Sequence, residues 1–497
     1  MTRSATIRLI LTCGLLVGAG ASGGACSDDS TPAADATSSD AVTHDGGPSD
    51  GTSDVGPAGQ PPAIDGLFED WRSLTALTTD PAGDASGGFD LTTVKAQSRG
   101  TTVYLYFDVG KLLNASGGPT SEGTLRIELT PSSGQKLTID LRGRTAWVGS
   151  DSSKTLRWSE LAYALAPTYA SKTFEARVDL AAVGAKLGDT VSINFGGSDA
   201  LAAPANLKLS AAAVAPPAAR STDRASGAAF RVASLNTWYD GLTDPSRGVA
   251  FGRLIKAVAA DIYCFQEVVN GTAAGIASAL TTLDPLGDGA TWSAYKVGDS
   301  LVATRGTLKG LPAQGAGQQH AGAAIDIGGG SVVVFTVRPV CCGYIGDPAD
   351  IQRINEMKTM AATIQKLRTG QLGADLLAWK DAPVVVVGDW NLVGSRTPLD
   401  VMLAPTSSGG PGLTHWLLRH LRGDDVFTWY LDKAGEFPPG MLDVLVHSPD
   451  LTARHGFVLD TAELDATTLT QLKLQPTDSQ ASDHLMLVAD LGTGSAP

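Results

Sequence analysis

The sequence predicts two folded domains, an all-β domain followed by a mixed α/β domain. Between residues 61 and 203, short apolar stretches alternate with polar residues and are separated by Gly, Ser and Asp clusters. This is the pattern of half-buried strands joined by turns. From residue 230 onward, strand-like runs alternate with helical stretches, which is typical of an α/β domain. A segment rich in Ala, Pro and Ser lies between the two regions, and its composition predicts a linker.

The first 25 residues have the pattern of a signal peptide. Arg3 and Arg8 flank a polar start, and an apolar run too short to span a bilayer follows them. Small residues then lead to Cys26, and this context resembles a lipoprotein cleavage site. The resemblance implies a lipid anchor on the Cys26 thiol, and cleavage by an ordinary signal peptidase is the alternative. We therefore expect an exported protein, either anchored at a membrane or secreted.

Residues 26–58 contain Ser, Thr, Asp, Gly, Ala and Pro with almost no large apolar side chain. Such a segment cannot bury enough surface to offset its chain entropy, so we expect a flexible tether. The remaining length suits two domains. We place the first domain at residues 59–206, the linker at 207–228 and the second domain at 229–497.

Composition disfavours several classes of protein. The chain has only five Cys, two of them within the first 26 residues, which is not a disulfide framework. The formal net charge is −14, and from Phe230 onward 19 Lys and Arg stand against 27 Asp and Glu. A protein that grips nucleic acid by its phosphates usually shows the opposite balance. No later segment is apolar enough to cross a membrane, so we expect membrane contact only through the lipid anchor.

The runs of alternating and periodic residues give the expected elements. Strands of the first domain are predicted at 103–107, 125–129, 136–141 and 191–195. Strands of the second domain are predicted at 231–235, 261–265, 331–337, 384–387 and 442–446, with helices at 251–260 and 349–368. Asp347 is a suitable N-cap for the second helix, because Pro348 would occupy its first position and Asp350 its first turn.

Short motifs in the first domain resemble sugar-binding modules of the family-9 type. They are Ile64-Asp65-Gly66 with Asp70-Trp71, Asp80-Pro81-Ala82-Gly83-Asp84, and Phe89-Asp90-Leu91. The resemblance implies a β-sandwich that binds carbohydrate and a structural Ca²⁺ held by Asp80, Asp84 and Asp90, because carboxylate oxygens suit that ion. Ordinary turn chemistry of the three Asp is the alternative. We therefore expect an accessory module.

Polar residues border almost every apolar strand of the second domain. They are Asn236, Gln266-Glu267, Gly388-Asp389-Trp390-Asn391, Asp443 and Ser482-Asp483-His484. Each one has an ordinary explanation as a turn residue. Residues at strand ends of a layered α/β fold can converge on one cleft, so together they predict a site.

In this order the motifs resemble the endonuclease/exonuclease/phosphatase superfamily. The matching pieces are Leu235-Asn236-Thr237-Trp238, Phe265-Gln266-Glu267-Val268, Gly388-Asp389-Trp390-Asn391-Leu392, Leu442-Asp443-Val444 and Ser482-Asp483-His484. The resemblance spans nearly the whole second domain. It implies a four-layered α/β sandwich with a divalent-metal phosphodiesterase site.

The resemblance also implies a role for each residue. Glu267 would be the principal ligand of Mg²⁺ or Mn²⁺, with Asn236 beside it and Asp483 completing the group. Asp389 would orient or deprotonate the attacking water, and Asn391 would donate to the phosphoryl oxygens. His484 would contact the phosphate or transfer a proton, with Asp443 fixing its tautomer.

Arg338 departs from the family pattern, which usually has His at that position. An arginine stays protonated, so it cannot give a proton to a leaving alkoxide. It can still clamp phosphate oxygens in a bidentate manner. Two hypotheses follow: Arg338 clamps a substrate with an easily expelled leaving group, or the site is impaired and the domain only binds. None of the seven His lies near Arg338 in the sequence.

We therefore expect an exported phosphodiesterase, and the rival is a cell-surface binding protein. A zinc enzyme or serine hydrolase is disfavoured, since the sequence has no His-rich ligand set and no Gly-x-Ser-x-Gly motif. The substrate stays open between a small phosphodiester, a phospholipid and nucleic acid. The acidic charge favours the first two.

Overall fold

The computed structural model describes residues 61–210, 220–313, 319–433 and 435–493. The predicted signal peptide, Cys26 and the whole of the tether lie outside them, as do residues 211–219 of the predicted linker. None of the helices in the described ranges is long and apolar enough to cross a membrane. The two domains belong to one compact unit.

The first domain contains strands and short 3₁₀ helices. Its strands are β1 (Thr78–Thr79), β2 (Thr93–Arg99), β3 (Thr102–Leu113), β4 (Leu125–Pro131), β5 (Leu137–Asp140), β6 (Thr145–Val148), β7 (Thr155–Leu156), β8 (Ala164–Ala166), β9 (Ser171–Asp179), β10 (Thr190–Gly197) and β11 (Ala205–Lys208). Its 3₁₀ helices are Glu69–Trp71, Thr120–Glu122, Trp158–Leu161 and Leu180–Val183.

Two antiparallel sheets share the core of the first domain. One has the order β1-β2-β3-β9-β8 and the other β11-β10-β4-β5-β6-β7. Phe107 and Phe174 of the first sheet lie in one hydrophobic cluster with Ile127 and Phe195 of the second. Alternate residues of β4 are buried, because successive side chains of a strand point to opposite faces. The strands predicted in this region are therefore present.

The second domain alternates strands and helices. Its elements are β12 (Phe230–Asn236), α1 (Gly248–Val258), β13 (Ile262–Gln266), α2 (Ala273–Leu283), β14 (Ser293–Val297), β15 (Ser300–Thr304), β16 (Thr307–Gly310), β17 (Ala321–Ile327), β18 (Gly330–Val337), α3 (Pro348–Arg368), β19 (Val384–Asp389), α4 (Thr397–Leu403), β20 (Thr414–His415), β21 (Asp443–His447), β22 (Leu451–Leu459), α5 (Ala466–Leu472) and β23 (Met486–Thr493). Its 3₁₀ helices are Gly287–Gly289, Ala374–Trp379, Thr406–Ser408, Thr461–Glu463 and Ser479–Ala481.

These elements form two sheets with helices packed outside them. One sheet has the order β14-β15-β13-β12-β23-β22, and the other β16-β17-β18-β19-β21-β20. The core between the sheets joins Val232 and Cys264 of the first to Val334 and Val387 of the second. A further core packs α1 and α2 on the first sheet, and another packs α3 on the second. The strands are nearly continuous apolar runs because both of their faces are covered.

The structure confirms both predicted helices of this domain and corrects one boundary. The carboxylate of Asp347 accepts a hydrogen bond from the N–H of Asp350 at 2.8 Å, and Pro348 starts α3. Helix α1 begins at Gly248, three residues before the predicted start, because Asp244 and Arg247 accept the first backbone bonds. The loop before α1 thus continues directly into the helix.

Candidate active site

Strand pairing brings the predicted polar residues to one edge of the two sheets. In the parallel pair β12–β13, Asn236 lies opposite Gln266, so Glu267 follows at the same edge. In the antiparallel pair β19–β21, Asp389 at the end of one strand lies opposite Asp443 at the start of the other. Residues more than 200 positions apart in sequence therefore share one region of the fold.

Asn236 contacts three of the other predicted site residues. Its Nδ2 lies 3.2 Å from Oε1 of Glu267, 3.2 Å from Oδ2 of Asp389 and 3.4 Å from Nε2 of His484. Its Oδ1 accepts a hydrogen bond from the N–H of Trp238 at 2.9 Å. The amide nitrogen, rather than the oxygen, therefore faces the carboxylates in this structure.

Asp389 is buried beneath Asn391. Its Oδ1 accepts the N–H of Asn391 at 3.0 Å, and its Oδ2 accepts the side-chain Nδ2 of Asn391 at 3.1 Å. The same Nδ2 also donates to the carbonyl of Pro339 at 3.0 Å. Burial raises the pKa of Asp389 to about 7, with the charge of His484 opposing that rise. A carboxyl group with this pKa can take up a proton near neutral pH.

His484 is paired with Asp443. Its Nδ1 lies 2.7 Å from Oδ2 of Asp443, and this contact holds the ring in one orientation. Burial alone would lower the pKa of His484, but the charges of Asp443 and Asp389 raise it to about 10. Asp443 is held in turn by Thr428, whose hydroxyl accepts the N–H groups of Leu442 and Asp443. No feature of the sequence pointed to Thr428.

Arg338 lies in the site, but its guanidinium is engaged by two carboxylates. Nη2 donates to Oε1 of Glu267 at 3.0 Å, and Nη1 donates to Oδ2 of Asp299 at 2.8 Å. Asp299 stands in the hairpin between β14 and β15 and was missed, because an Asp in a tight turn has an ordinary explanation. Glu267 is therefore not a freely exposed carboxylate in this structure.

No His lies near Arg338 in the sequence, but the fold places His320 beside it. The Nδ1 of His320 accepts the backbone N–H of Arg338 at 3.2 Å. The pairing of β17 with β18 explains this, since Ala321 lies opposite Thr336 and places His320 beside the end of β18. Burial lowers the pKa of His320 to about 4, so this ring is neutral and supports the Arg338 backbone. It is not a replacement proton donor.

The donor chemistry around Glu267 fits a hard divalent cation. Glu267 and Asp483 offer carboxylate oxygens, the ligands that Mg²⁺ or Mn²⁺ prefers. Oδ2 of Asp483 lies 3.3 Å from the Nε1 of Trp429, and burial raises the pKa of its carboxyl. Asn236 could add an oxygen only by releasing the N–H of Trp238. A buried Oδ1 of Asp299 lacks a hydrogen-bond partner among the described residues, which leaves a further acceptor nearby.

Several residues of the site adopt left-handed backbone conformations. Trp238, Tyr239 and Asp240 form a run with φ of 46°, 56° and 62°, and Glu267 has φ of 58°. Such conformations are strained for non-glycine residues and persist only where the surroundings hold them. The guanidinium of Arg247 donates to the carbonyl of Tyr239 at 3.0 Å and lies over the Trp238 ring. The N–H of Tyr239 then donates to Oε2 of Glu267 at 3.2 Å.

The acidic residues of the first domain are arranged differently from the predicted calcium trio. Carboxylate oxygens of Asp80, Asp84 and Asp199 lie within 4.8 Å of one another. Asp90 is outside that group, and its carboxylate accepts the N–H of Gly83 at 2.9 Å. The Asp80–Asp84 pair is thus close in space, while the third carboxylate comes from a distant loop.

The sequence of the second domain matches a known family. The model of the Endonuclease/Exonuclease/phosphatase family matches residues 233–484, just over half of the 497-residue chain. The chain belongs to this family. The matched range includes every site residue that the sequence predicted for the second domain. The curated proteins include no sequence that matches the chain.

Solved structures are similar to about half of the chain at low identity. The human Nocturnin catalytic domain, solved with a bound sulfate anion, is 16% identical, with a TM-score of 0.35 and coverage of 53% of this chain and 94% of that one. ANGEL2, described as a 2′,3′-cyclic phosphatase, is 15% identical, with a TM-score of 0.36 and coverage of 53% and 94%. An endonuclease/exonuclease/phosphatase family protein from Leptotrichia buccalis is 15% identical, with a TM-score of 0.34 and coverage of 53% and 99%.

Proposed function

We propose that this protein is an exported, divalent-metal-dependent phosphoric ester hydrolase of the phosphodiesterase kind. The observation that most supports the proposal is the contact of Asn236 with Glu267, Asp389 and His484. These residues come from separate strands, and each has the residue type that its role in a member of this family requires. Membership of the family adds independent support.

The carboxyl group of Asp389 acts as the proton acceptor, and the imidazole of His484 acts as the hydrogen-bond donor. Asp389, with its pKa raised to about 7, orients the attacking water and accepts its proton. His484 keeps a proton because Asp443 raises its pKa, so its Nε2 donates to a phosphoryl oxygen. Asn391 fixes Asp389 through two hydrogen bonds, and the amide hydrogen that it now gives to the Pro339 carbonyl turns to the phosphoryl group as negative charge grows there.

Glu267, with Asp483 and Asn236, would hold Mg²⁺ or Mn²⁺. When bound, such a cation supplies Lewis-acid stabilisation of the phosphoryl oxygens. The backbone N–H of Tyr239 and the guanidinium of Arg338 orient the two oxygens of Glu267 before any cation arrives. The left-handed turn that presents Tyr239 is therefore part of what positions the principal ligand.

Arg338 restricts the substrates that the site can process. Its guanidinium stays protonated beside Glu267 and Asp299, so it contributes charge and hydrogen bonds but no proton for the leaving group. Esters with a good leaving group do not need that proton. We therefore favour the substrate-restricted hydrolase over the impaired site.

A binding protein without turnover is the second candidate, and one contact favours it. The Nη2 of Arg338 lies 3.0 Å from Oε1 of Glu267 and so occupies an oxygen that a cation would use. If the ion pair is too stable to open, the site keeps the shape of a hydrolase and loses its metal. Arg338 thus decides between the two candidates.

The remaining parts of the proposal concern location and targeting. The N-terminal sequence supports export and lipidation at Cys26, with secretion as the alternative. We propose the first domain as a carbohydrate-binding accessory module with a Ca²⁺ site around Asp80 and Asp84. The proposed substrate is a phosphodiester, either a small molecule, a phospholipid or nucleic acid, and the net charge of −14 favours the first two.

The test is hydrolysis of bis-p-nitrophenyl phosphate and of plasmid DNA with Mg²⁺, Mn²⁺ or EDTA. The aryl ester has a good leaving group and DNA a poor one. We expect metal-dependent hydrolysis of the aryl ester that falls about a hundredfold or more in Glu267→Ala, because the principal ligand is lost. Glu128→Ala is the matched control, because Glu128 lies on β4 of the first domain and pairs there with Lys136.

Arg338→His separates the two candidates. If Arg338 limits the leaving group, this variant gains activity on DNA by a factor of about 100 or more, the usual contribution of a general acid. Absence of cleavage by both the unaltered protein and Arg338→His would overturn the hydrolase and support the binding protein.

A further inference from the structure

Two loops of the second domain that carry site residues contact the first domain. One loop follows Asp389 and Asn391, and the other leads into Asp443. Both are hydrogen-bonded to the first domain, at two points on one end of its five-stranded sheet. These points are Asn114, directly after β3, and the turn between β8 and β9, which contains Thr168.

Asn114 joins two segments of the second domain to the first. Its Nδ2 donates to the carbonyls of Val393 at 2.6 Å and Gly394 at 3.2 Å, only two and three residues after Asn391. Its Oδ1 accepts the N–H of Ile345 at 2.8 Å. Asn114 is 3% exposed, so the loss of a partner would leave a buried polar group of this residue unsatisfied.

A buried carboxylate bonds to the same two segments that Asn114 contacts. Oδ1 of Asp350 accepts the N–H of Ser395 at 2.8 Å, and its Oδ2 accepts the N–H of Gly346 at 2.9 Å. A Cβ on Gly394 would lie 2.2 Å from Oδ1 of Asp350, so the loop passes here only because residue 394 is glycine. The N–H of Ala170 also donates to the carbonyl of Gly394 at 2.8 Å.

Thr168 makes the equivalent contact with the loop that leads into Asp443. Its Oγ1 accepts the N–H of Met441 at 3.0 Å. The next two N–H groups of that loop, those of Leu442 and Asp443, donate to Thr428 of the second domain. The three successive N–H groups that lead into β21, those of Met441, Leu442 and Asp443, are therefore all hydrogen-bonded, the first of them to the first domain.

We propose that the first domain is a clamp on the active-site loops and that Asn114 and Thr168 are positioning residues for the hydrolysis proposed above, on which this inference rests. Asn114 fixes the segment that follows Asp389 and Asn391, and Thr168 fixes the segment that presents Asp443 to His484. Displacement of a reacting group by about 1 Å can cost about a hundredfold in rate. The first domain thus acts on turnover whether or not it binds sugar.

The test uses the full chain with Thr168→Val, Thr168→Ser and Asn114→Ala. Thr168→Val keeps the shape and loses the acceptor, whereas Thr168→Ser keeps the hydroxyl. We expect kcat on bis-p-nitrophenyl phosphate to fall about tenfold to a hundredfold in Thr168→Val and Asn114→Ala, with KM little changed. We expect Thr168→Ser to keep most of the activity. Arg144→Ala is the control, because Arg144 makes a cation–π contact across the same two domains with the exposed Phe437.

Hydrogen exchange of the same variants provides a readout that does not need turnover. Peptides that cover residues 389–396 and 441–445 should exchange faster in Asn114→Ala and Thr168→Val, respectively, and should be unchanged in Arg144→Ala. Unchanged exchange, or equal loss of activity in Thr168→Val and Thr168→Ser, would overturn the clamp. An inactive unaltered protein would overturn the hydrolase and with it the positioning role, whereas an active protein with unchanged kcat in the variants would overturn the positioning role alone.

Discussion

Two buried histidines of the second domain have the same kind of partner and different surroundings. His484 pairs with Asp443 at 2.7 Å, and His420 pairs with Glu463 at 3.0 Å. In both, burial alone would lower the pKa, and the acidic partner raises it, to about 10 for His484 and about 9 for His420. The pairing with an acid therefore does not distinguish them.

The two histidines differ in the contacts of their second ring nitrogen, Nε2. Nε2 of His420 lies 2.7 Å from the carbonyl of Phe427, so both nitrogens of this ring are used inside the protein. Nε2 of His484 lies 3.4 Å from the amide nitrogen of Asn236, itself a donor, and 3.9 Å from Oδ2 of Asp389. In the proposed function a substrate oxygen accepts the proton of His484 Nε2, whereas both nitrogens of His420 are bonded to acceptors inside the protein.

His420 also shows why proximity of ligand-type residues is not enough for a metal site. His420, Asp425 and Glu463 offer atoms within 4.8 Å of one another. A carbonyl accepts from Nε2 of His420, and Arg177 of the first domain pairs with Asp425 at 2.5 Å. The cluster is thus neutralised by protein cations, and we interpret it as a structural ion-pair network.

The largest effect should come from His484→Ala. We expect kcat on bis-p-nitrophenyl phosphate to fall about a hundredfold to ten-thousandfold, since a proton donor to the phosphoryl group is lost. His420→Gln is the matched variant, and in steady-state assays at low temperature it should keep most of the activity. Equal loss of activity in the two folded variants would mean that the contacts of Nε2 do not distinguish the two histidines in function.

A smaller effect, on stability, should appear in His420→Gln. The substitution removes a hydrogen bond between a buried cation and Glu463, and such bonds contribute about 2 kcal/mol. We expect the free energy of unfolding in urea to fall by about that amount at pH 7. A fall as large in His484→Ala would show that the active-site histidine is equally important for the fold.

The smallest effect should be a pH dependence of stability that His420 produces. Its pKa of about 9 in the folded protein exceeds the ordinary value of 6.5, so its contribution is fully present below pH 6.5 and is lost as the pH rises through 9. Asp425 and Glu463 face the ring and favour its charged form, and Arg177 offsets part of the charge of Asp425. Urea titrations between pH 6 and 10 should show that the free energy of unfolding falls as the pH rises in the unaltered protein, and that it falls less steeply in His420→Gln. The same pH dependence of the free energy of unfolding in both proteins would contradict its assignment to His420.

The candidate site residues could be picked out of the sequence because they are local features of strand ends. Four valines followed by Gly388 and Asp389 mark a buried strand and the polar residue that ends it, and both are found in β19. The N-cap at Asp347 was predictable for the same reason, since a cap bonds within its own first turn.

Partners from distant parts of the chain could not be predicted in this way. Asp299, Thr428 and His320 contact site residues only through the pairing of strands or the path of loops. In the sequence each looks like an ordinary turn or surface residue. Asn114 is a stronger case, because it lies 279 residues from the carbonyl that it contacts.

The sequence by itself determined that an all-β region precedes an α/β region, and it determined the family and the identity of the polar residues at the strand ends. Those features depend on periodicity and on short motifs, which local physical chemistry sets. Only the tertiary structure decided which oxygen of Glu267 contacts Arg338, which groups surround Nε2 of each buried histidine, and how the first domain contacts the loops of the candidate site. Those features depend on distances between residues that are remote in the chain, and the packing of whole sheets and loops sets such distances.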